Sequence, residues 1–407
     1  MFNVSSVEET LKLIDEKFSE YSLESERIDI TQAVGRITSE DIYSKEDVPG
    51  FNRSLVDGYA VYSQDTNGAS EAIPAQLIFA GEVKMGEKPQ LKLERGQAVY
   101  VPTGGEIPRG ADAMVMIEYT ENLYDGFIYI EKAAAPGNHI VFKGDDTKIN
   151  QKVFSKNHVL RPQDIGALAA LGYRNVPVKA KLKVGIVSTG DELVDIEEQT
   201  EGSKVRDVNT YALNAEIISF GAKPVLYGII RDGYEKVKQA VEKAVSECDV
   251  VLISGGSSVG QKDETYNVIR SLEEAEMLIH GIAVKPGKPT ILAKAGRKAI
   301  IGLPGHPVSA YFIYKIIVSH ILNVMSGINK GPKPYINASI VGNYPSNNGR
   351  EEYLPVRLVK GNEGFFAYPV FGKSGLITIL ALASGYVRIK RGQEGLSAGQ
   401  KVEVTIF

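Results

Sequence analysis

The chain has 407 residues, 43% of them hydrophobic and 24% charged; this is a globular composition on a length too great for one ordinary core, so roughly two to four domains are expected. A formal net charge of -4 gives no overall pull toward nucleic acid or an anionic membrane, so neither is an expected partner, and any anion site must be made locally from backbone amides and a few cations. The single cysteine, Cys248, excludes an intrachain disulfide framework and a cysteine-rich zinc site, and its place before an apolar run suits packing.

The N-terminal "MFNVSSVEETLKLID" is acidic and has no continuous apolar stretch of the kind a secretory leader carries. Ser5 and Ser6 followed by Glu8 and Glu9 form a capping-box pattern, and Leu11, Leu13, Ile14 and Phe18 give the following helix a buried side. From about Val48 to Ala135, short apolar runs broken by glycine and proline ("QLIFAGEV", "GQAVYVPTGG", "ADAMVMIEYTE", "GFIYIEKAA") predict a compact β-rich domain. "LRPQDIGALAALGY" predicts a helix closed by Gly172.

From Lys181 the texture alternates. "KLKVGIVS", "KPVLYGII" and "DVVLIS" read as buried strands, separated by helices over "NTYALNAEIISF" and "GYEKVKQAVEKAVSE". A further helix near Glu264–Glu274, the runs "LIHGIAV" and "TILAKAGRKAIIGL", and a long helix from about Pro307 follow. This alternation predicts a doubly wound, mostly parallel sheet, with ligands beyond the carboxyl ends of its strands. "AYFIYKIIVSHILNVM", interrupted by Lys315 and His320, reads as a core helix, and a soluble cytoplasmic protein is the expectation. After "GINKGPKP" short strands return, giving a small C-terminal β domain. The expected organisation is an α/β multidomain chain: residues 1–47 and 136–177 form an N-terminal helix and linker domain, 48–135 an inserted β-rich domain, 178–327 the doubly wound domain and 328–407 the C-terminal domain.

Four strand-end loops draw attention. "SGGSSVG" offers Gly255, Gly256, Ser257, Ser258 and Gly260, whose amides and hydroxyls suit a phosphate cradle, although a plain strand-to-helix connection uses the same glycines. "VSTGDEL" offers Ser188, Thr189, Gly190, Asp191 and Glu192, or simply a helix cap. "AVKPGKP" sets Lys285 and Lys288 on a proline-braced turn, and "GLPGHPVSA", with Pro304 and Pro307, opens a helix whose N-terminus attracts anions. Donors and lysines suit a phosphate, and carboxylates beside them suit a magnesium ion bridging phosphate oxygens. Neither "GxxxxGK[ST]" nor "GxGxxG" occurs, no hydrolase elbow is visible, and the five histidines lack metal-ligand spacing.

In order along the chain, "VPGFNRSLVDGYAV", "VPTGGEIPRGADAMV", "VSTGDEL", "GGSSVGQKDET", "AVKPGKP", "GLPGHPVSA" and "KSGLITILALASGY" resemble the MoeA family of molybdopterin molybdenumtransferases and the gephyrin E domain. The resemblance implies an elongated four-part subunit that forms a homodimer, with molybdopterin bound by the doubly wound domain. It implies insertion of molybdate into adenylated molybdopterin, with Mg2+-assisted hydrolysis of the pyrophosphate bond and release of AMP, and a molybdopterin adenylyltransferase as upstream donor. Carried onto matching positions, it assigns catalysis to Asp57, Thr103, Glu192, Asp232 and Asp263. Lys285, Lys288 and Ser374 join the loop residues above in cofactor binding, and Asp57, Glu192 and Asp263 are expected to serve magnesium or molybdate geometry. The resemblance also implies that the cofactor-binding domain of one subunit meets the β-rich domain of the other.

Three departures stand out. The family's "FDNSAMDGYA" reads "FNRSLVDGYA", gaining Arg53; its "GLPGNPVSA" has His306 for asparagine; and Val141 and Phe142 occupy a stretch that is basic in the family, leaving Lys143. A lone lysine holds an oxyanion less specifically than an arginine fork, so tungstate stands beside molybdate as a candidate, and a non-catalytic carrier or scaffold is the alternative function.

Overall fold

A computed structural model describes residues 4–255, 264–328, 333–346 and 349–407, and the chain divides into two compact units. Unit one comprises Met1–Glu26, Gly35–Ser39 and Pro177–Phe407; unit two comprises Arg27–Val34 and Glu40–Val176.

Unit two is built on a six-stranded sheet in the order Ala113–Met116, Gly58–Val61, Gln97–Val101, Ala75–Glu82, Phe127–Ile130, Thr120–Asn122. Alternate residues of its strands feed separate cores: Tyr59 and Val61 join Leu77, Ile128 and Ile130, whereas Ala60 joins Leu93, Val99 and Met114. Gly58 permits this packing, because a Cβ there would lie 2.0 Å from the Val115 carbonyl oxygen. Farther along, Pro162 starts the helix Pro162–Ala170, and Gly172 in the left-handed region (φ 70°) follows it, as the sequence predicts.

In unit one the doubly wound sheet has the order Lys223–Ile230, Lys183–Thr189, Val250–Ser254, Lys298–Leu303, Ile291–Ala295, Ala275–His280. The first four strands run parallel and the last two are antiparallel additions. "TILAKAGRKAIIGL" is therefore a hairpin, turned by Gly296 at φ 55° and Arg297 between the paired Ala295 and Lys298. The central strand is buried throughout and serves both faces, Val250 and Leu252 on one side and Val251 and Ile253 on the other. This is why it reads as a continuous apolar run.

The N-terminal helix, Val7–Phe18, carries the reciprocal Ser6–Glu9 capping box. The sequence groups it with residues 136–177; it packs instead within unit one, where Val7, Ile14 and Phe18 join the core under the Pro307–Ser326 helical stretch. That stretch is long and apolar enough to span a membrane, but most of it is buried as a core element, and one π-helical turn, Tyr314–Val318, interrupts it.

The C-terminal sheet runs Val284–Lys285, Glu351–Gly361, Gly364–Pro369, Tyr335–Ile340, Lys401–Ile406, Gly385–Ile389, and closes into a barrel where Gly385–Ile389 also pairs with Glu351–Gly361. Ala338, Leu354, Val356, Val387 and Val404 fill it. The short strand Val284–Lys285 leaves the doubly wound domain to pair in parallel with Glu351 and Glu352, which sets the lysine loop against the barrel wall.

Candidate active site

Two cavities in unit one share His306 as a lining residue. The first, of about 680 Å³, opens at the carboxyl ends of the parallel strands and is walled by Thr189, Glu192, Asn209, Ser254, Gly255 and Pro307 among others. Thr189 ends its strand with a side-chain oxygen that is buried and has no hydrogen-bond partner among the described residues. Gly255 (φ 106°) lies so close that a Cβ would sit 2.2 Å from the Thr189 carbonyl oxygen, which explains the glycine at the start of "GGSSVG". Asn209 donates from its amide to Ser254 Oγ at 2.8 Å and to the Gly305 carbonyl at 2.9 Å, tying two strand-end loops together.

Ser188 does not face this cavity. It is fully buried, and its hydroxyl lies 2.7 Å from Thr210 Oγ1, which donates to Asp207 at the start of the following helix. The two-residue period of the strand sends Thr189 toward the cavity and Ser188 into the interior. Pro304 is buried outside the lining, whereas Pro307 lines the cavity at the first turn of its helix. Gly190 forms the turn before two exposed carboxylates, Asp191 and Glu192. The Asp191 carbonyl accepts from Lys204 Nζ and from Arg231 Nη1 (2.8 Å), and its side chain lies 3.3 Å from the Asp232 amide. Asp191 and Asp232 thus stand together, and Glu192 alone of the three lines the cavity. Lys204, Arg206 and Asp207 also line it without any signal in the loop motifs; Arg206 is engaged by the carbonyls of Ile196 and Glu198.

The second cavity, of about 630 Å³, lies between the lysine loop and the barrel. Its charged lining is Lys285, Lys288, Arg350 and Lys373 against one carboxylate, Glu352. Glu352 is nearly buried; burial works to raise its pKa, but the Lys285 ammonium and the hydroxyls of Ser346 and Tyr344 outweigh that, and the carboxyl is held below its ordinary value. Lys285 is therefore already paired, at 2.8 Å, whereas Lys288 is exposed and without an ion pair among the described residues. No motif marks Arg350, which the barrel delivers from far along the chain, and Lys373 opens the "KSG" motif beside Ser374.

Ser374 joins the two cavities. Its hydroxyl is 2.7 Å from His306 Nδ1, and its carbonyl accepts from the Val308 amide at 3.1 Å, so the "KSG" and "GLPGHP" motifs meet in one place. In unit two, Asp57 Oδ1 accepts from the Thr103 amide at 2.8 Å, which holds "DGYA" and "PTGG" together as a separate constellation. Gly256, Ser257, Ser258, Gly260 and Asp263 lie outside the described residues. Among the described residues no three His, Cys, Asp or Glu side chains cluster as a metal site.

Residues 5–172 match the MoeA N-terminal region (domain I and II), 185–323 a probable molybdopterin binding domain, and 339–407 the MoeA C-terminal region (domain IV). The molybdopterin molybdenumtransferase of Bacillus subtilis is 31% identical over 94% of this chain and 90% of its own. That of Staphylococcus epidermidis is 30% identical over 98% and 95%. The crystal structure of the molybdopterin biosynthesis MoeA protein of Pyrococcus horikoshii OT3 superposes with a TM-score of 0.87 at 33% identity over the full length of both chains.

Proposed function

Because the chain belongs to the MoeA family and is a molybdopterin molybdenumtransferase of molybdenum cofactor biosynthesis, we propose that its two adjoining cavities divide that reaction between them. The first takes the molybdopterin end of an adenylated molybdopterin, and the second takes the oxyanion, molybdate or tungstate. One observation supports this division above others: two cavities of different charge share His306, one in which Lys204 and Arg206 are matched by Glu192 and Asp207 and the other in which four cations face one acid. A doubly charged oxyanion needs several cationic or N–H donors, and the second cavity offers them.

The residues of the first cavity also fit a magnesium ion. Glu192 and the Thr189 hydroxyl, which has no partner among the described residues, are hard oxygen donors in its lining, of the kind magnesium takes alongside phosphate oxygens. Magnesium bound there would neutralise charge on a pyrophosphate group and favour its hydrolysis to AMP. Lys288 and Lys373 hold and orient the oxyanion, while Lys285 contributes a charge already shared with Glu352. In the homodimer that the family pattern implies, Asp57 and Thr103 are the contribution of the β-rich domain. A molybdopterin adenylyltransferase supplies the substrate, and the reaction takes place in the cytoplasm.

The test is AMP release from adenylated molybdopterin by the purified protein with magnesium, molybdate and tungstate being supplied separately. AMP release coupled to formation of the metal-loaded cofactor supports the proposal, and the more effective oxyanion identifies the physiological one. Tight binding of molybdopterin without AMP release would replace it with a carrier or scaffold role.

A further inference from the structure

His306 follows the strand Lys298–Leu303, caps the helix that starts at Pro307, and lines both cavities. Resting on the assignment of the cationic cavity to the oxyanion, we infer that His306 is a positioning residue that couples oxyanion binding to uptake of a proton, through its contact with Ser374.

Ser374 is fixed by its backbone to the helix start through the Val308 amide, so its hydroxyl retains little more than rotation about one bond, and Oγ stands 2.7 Å from His306 Nδ1. A neutral imidazole can meet that hydroxyl as acceptor or as donor, depending on its tautomer. When Nδ1 accepts, the serine proton is turned onto the ring, and only oxygen lone pairs remain for a ligand. An imidazolium can only donate. Protonation of His306 thus fixes the Ser374 proton as a free donor for an anion, and adds one positive charge beside it.

The surroundings make the two events reinforce each other. From the barrel side His306 shares its cavity with Lys285, Lys288, Arg350 and Lys373, and with Glu352, which is committed to Lys285. From the strand-end side it shares a cavity with Glu192 and Asp207, and with Lys204 and Arg206, both of which donate to loop carbonyls. An oxyanion placed among the barrel-side cations attracts the imidazolium and accepts from the serine hydroxyl that the imidazolium releases. The asparagine that the family pattern carries at this position offers a donor at every pH and has no proton to exchange.

The experiment is calorimetric titration of the full-length protein with molybdate and, separately, tungstate at about pH 6 and about pH 8, on either side of the histidine range. Two buffers of different ionisation enthalpy report the protons taken up. The expected result is affinity about tenfold higher at the lower pH, the size of one added charge-assisted contact, with net proton uptake on binding. In His306→Asn the affinity at the two pH values should be equal and the uptake absent; any protonation of the oxyanion itself is the same for both proteins and cancels in the comparison. Ser374→Ala, which keeps the ring and removes its partner, should reduce the pH ratio and weaken binding. A pH ratio unchanged in His306→Asn, or absent from the wild-type protein, overturns the inference and leaves the cavity assignment in place. Absence of oxyanion binding at both pH values overturns both.

Discussion

The Lys285 ammonium lies 2.8 Å from Glu352, whose carboxylate side chain is only 4% exposed while that of the lysine is 44% exposed. The parallel pairing of Lys285 with Glu352 across Val284–Lys285 and Glu351–Gly361 sets this contact, and Tyr344 and Ser346 also donate to the carboxylate. The acid is the only carboxylate among the described lining of a cavity otherwise cationic. It fixes the lysine loop against the barrel, and it also weakens the field available to an anion.

Glu352→Gln separates these two effects. Removing the buried partner should cost about 1–3 kcal/mol, below the range for a fully buried pair because Lys285 still reaches water. At the same time Lys285 loses its counter-charge, so oxyanion affinity should rise, by about fivefold for a unit charge removed at close range in a well-solvated site. Denaturant unfolding reads the first quantity and titration with molybdate the second. Weaker molybdate binding in this variant would mean that the position of Lys285 matters more than its free charge.

Asp57 supports a second pair of variants, because its Oδ1 holds the Thr103 amide at 2.8 Å. Asparagine preserves an acceptor and removes the charge; alanine removes both. Asp57→Asn should change stability by less than about 0.5 kcal/mol and lower oxyanion insertion by about a hundredfold or more, as expected of a charge acting on the reacting groups. Asp57→Ala should in addition cost about 1 kcal/mol for the lost hydrogen bond. Equal insertion rates in Asp57→Asn and the wild-type protein would confine Asp57 to bracing the Thr103 loop.

Gly255 tests how closely the first cavity is built. With φ at 106° and a Cβ position 2.2 Å from the Thr189 carbonyl oxygen, alanine there is strained in torsion and in contact. Gly255→Ala should lower stability by about 1–3 kcal/mol or more and displace the Thr189 wall, so molybdopterin affinity should fall together with the melting temperature. A variant with wild-type melting and binding would show that the two strand ends are free to separate.

These sites mark where the sequence was legible and where it was not. "GDEL", "KPGKP", "GLPGHP" and "KSG" could be picked out because glycine and proline at strand ends have local causes, and Glu192, Lys285, Lys288, His306 and Ser374 do line the cavities. Ser188 of "VSTGDEL" faces the interior instead, because the pleat turns alternate side chains of its strand to opposite sides. Arg350 and Glu352 were out of reach for another reason: their position opposite Lys285 depends on a strand pairing across 67 residues (285 to 352) that no local pattern encodes. Tyr335–Ile340, "YINASI", alternates Ile336, Ala338 and Ile340 with polar residues, and its place between Lys401–Ile406 and Gly364–Pro369 is set by pairing at long range. The π-helical turn at Tyr314–Val318 likewise has no mark in a run that reads as uniform core helix.

Acid stability of unit two follows from Asp164. Its carboxylate is 4% exposed and accepts from Arg161 Nη2 at 3.0 Å, Arg161 Nε at 3.1 Å and the Arg161 amide at 2.8 Å, with His158 Nε2 at 2.7 Å. Burial works against ionisation, but the Arg161 guanidinium and amide and the His158 ring outweigh it and bring the pKa down to about 2. The folded value lies below the unfolded one of about 3.9, so the ionised group stabilises the fold fully above about pH 4, and that contribution is lost as pH falls through about 2. The difference amounts to about 2–3 kcal/mol. Hydrogen exchange across Pro162–Ala170 should therefore quicken in the wild-type protein between about pH 4 and about pH 2, beyond the change in intrinsic rate. Asp164→Asn should exchange faster at neutral pH and show no such additional step on acidification. If both proteins follow the same course, the carboxylate does not hold the start of this helix, and the acid sensitivity of unit two arises elsewhere.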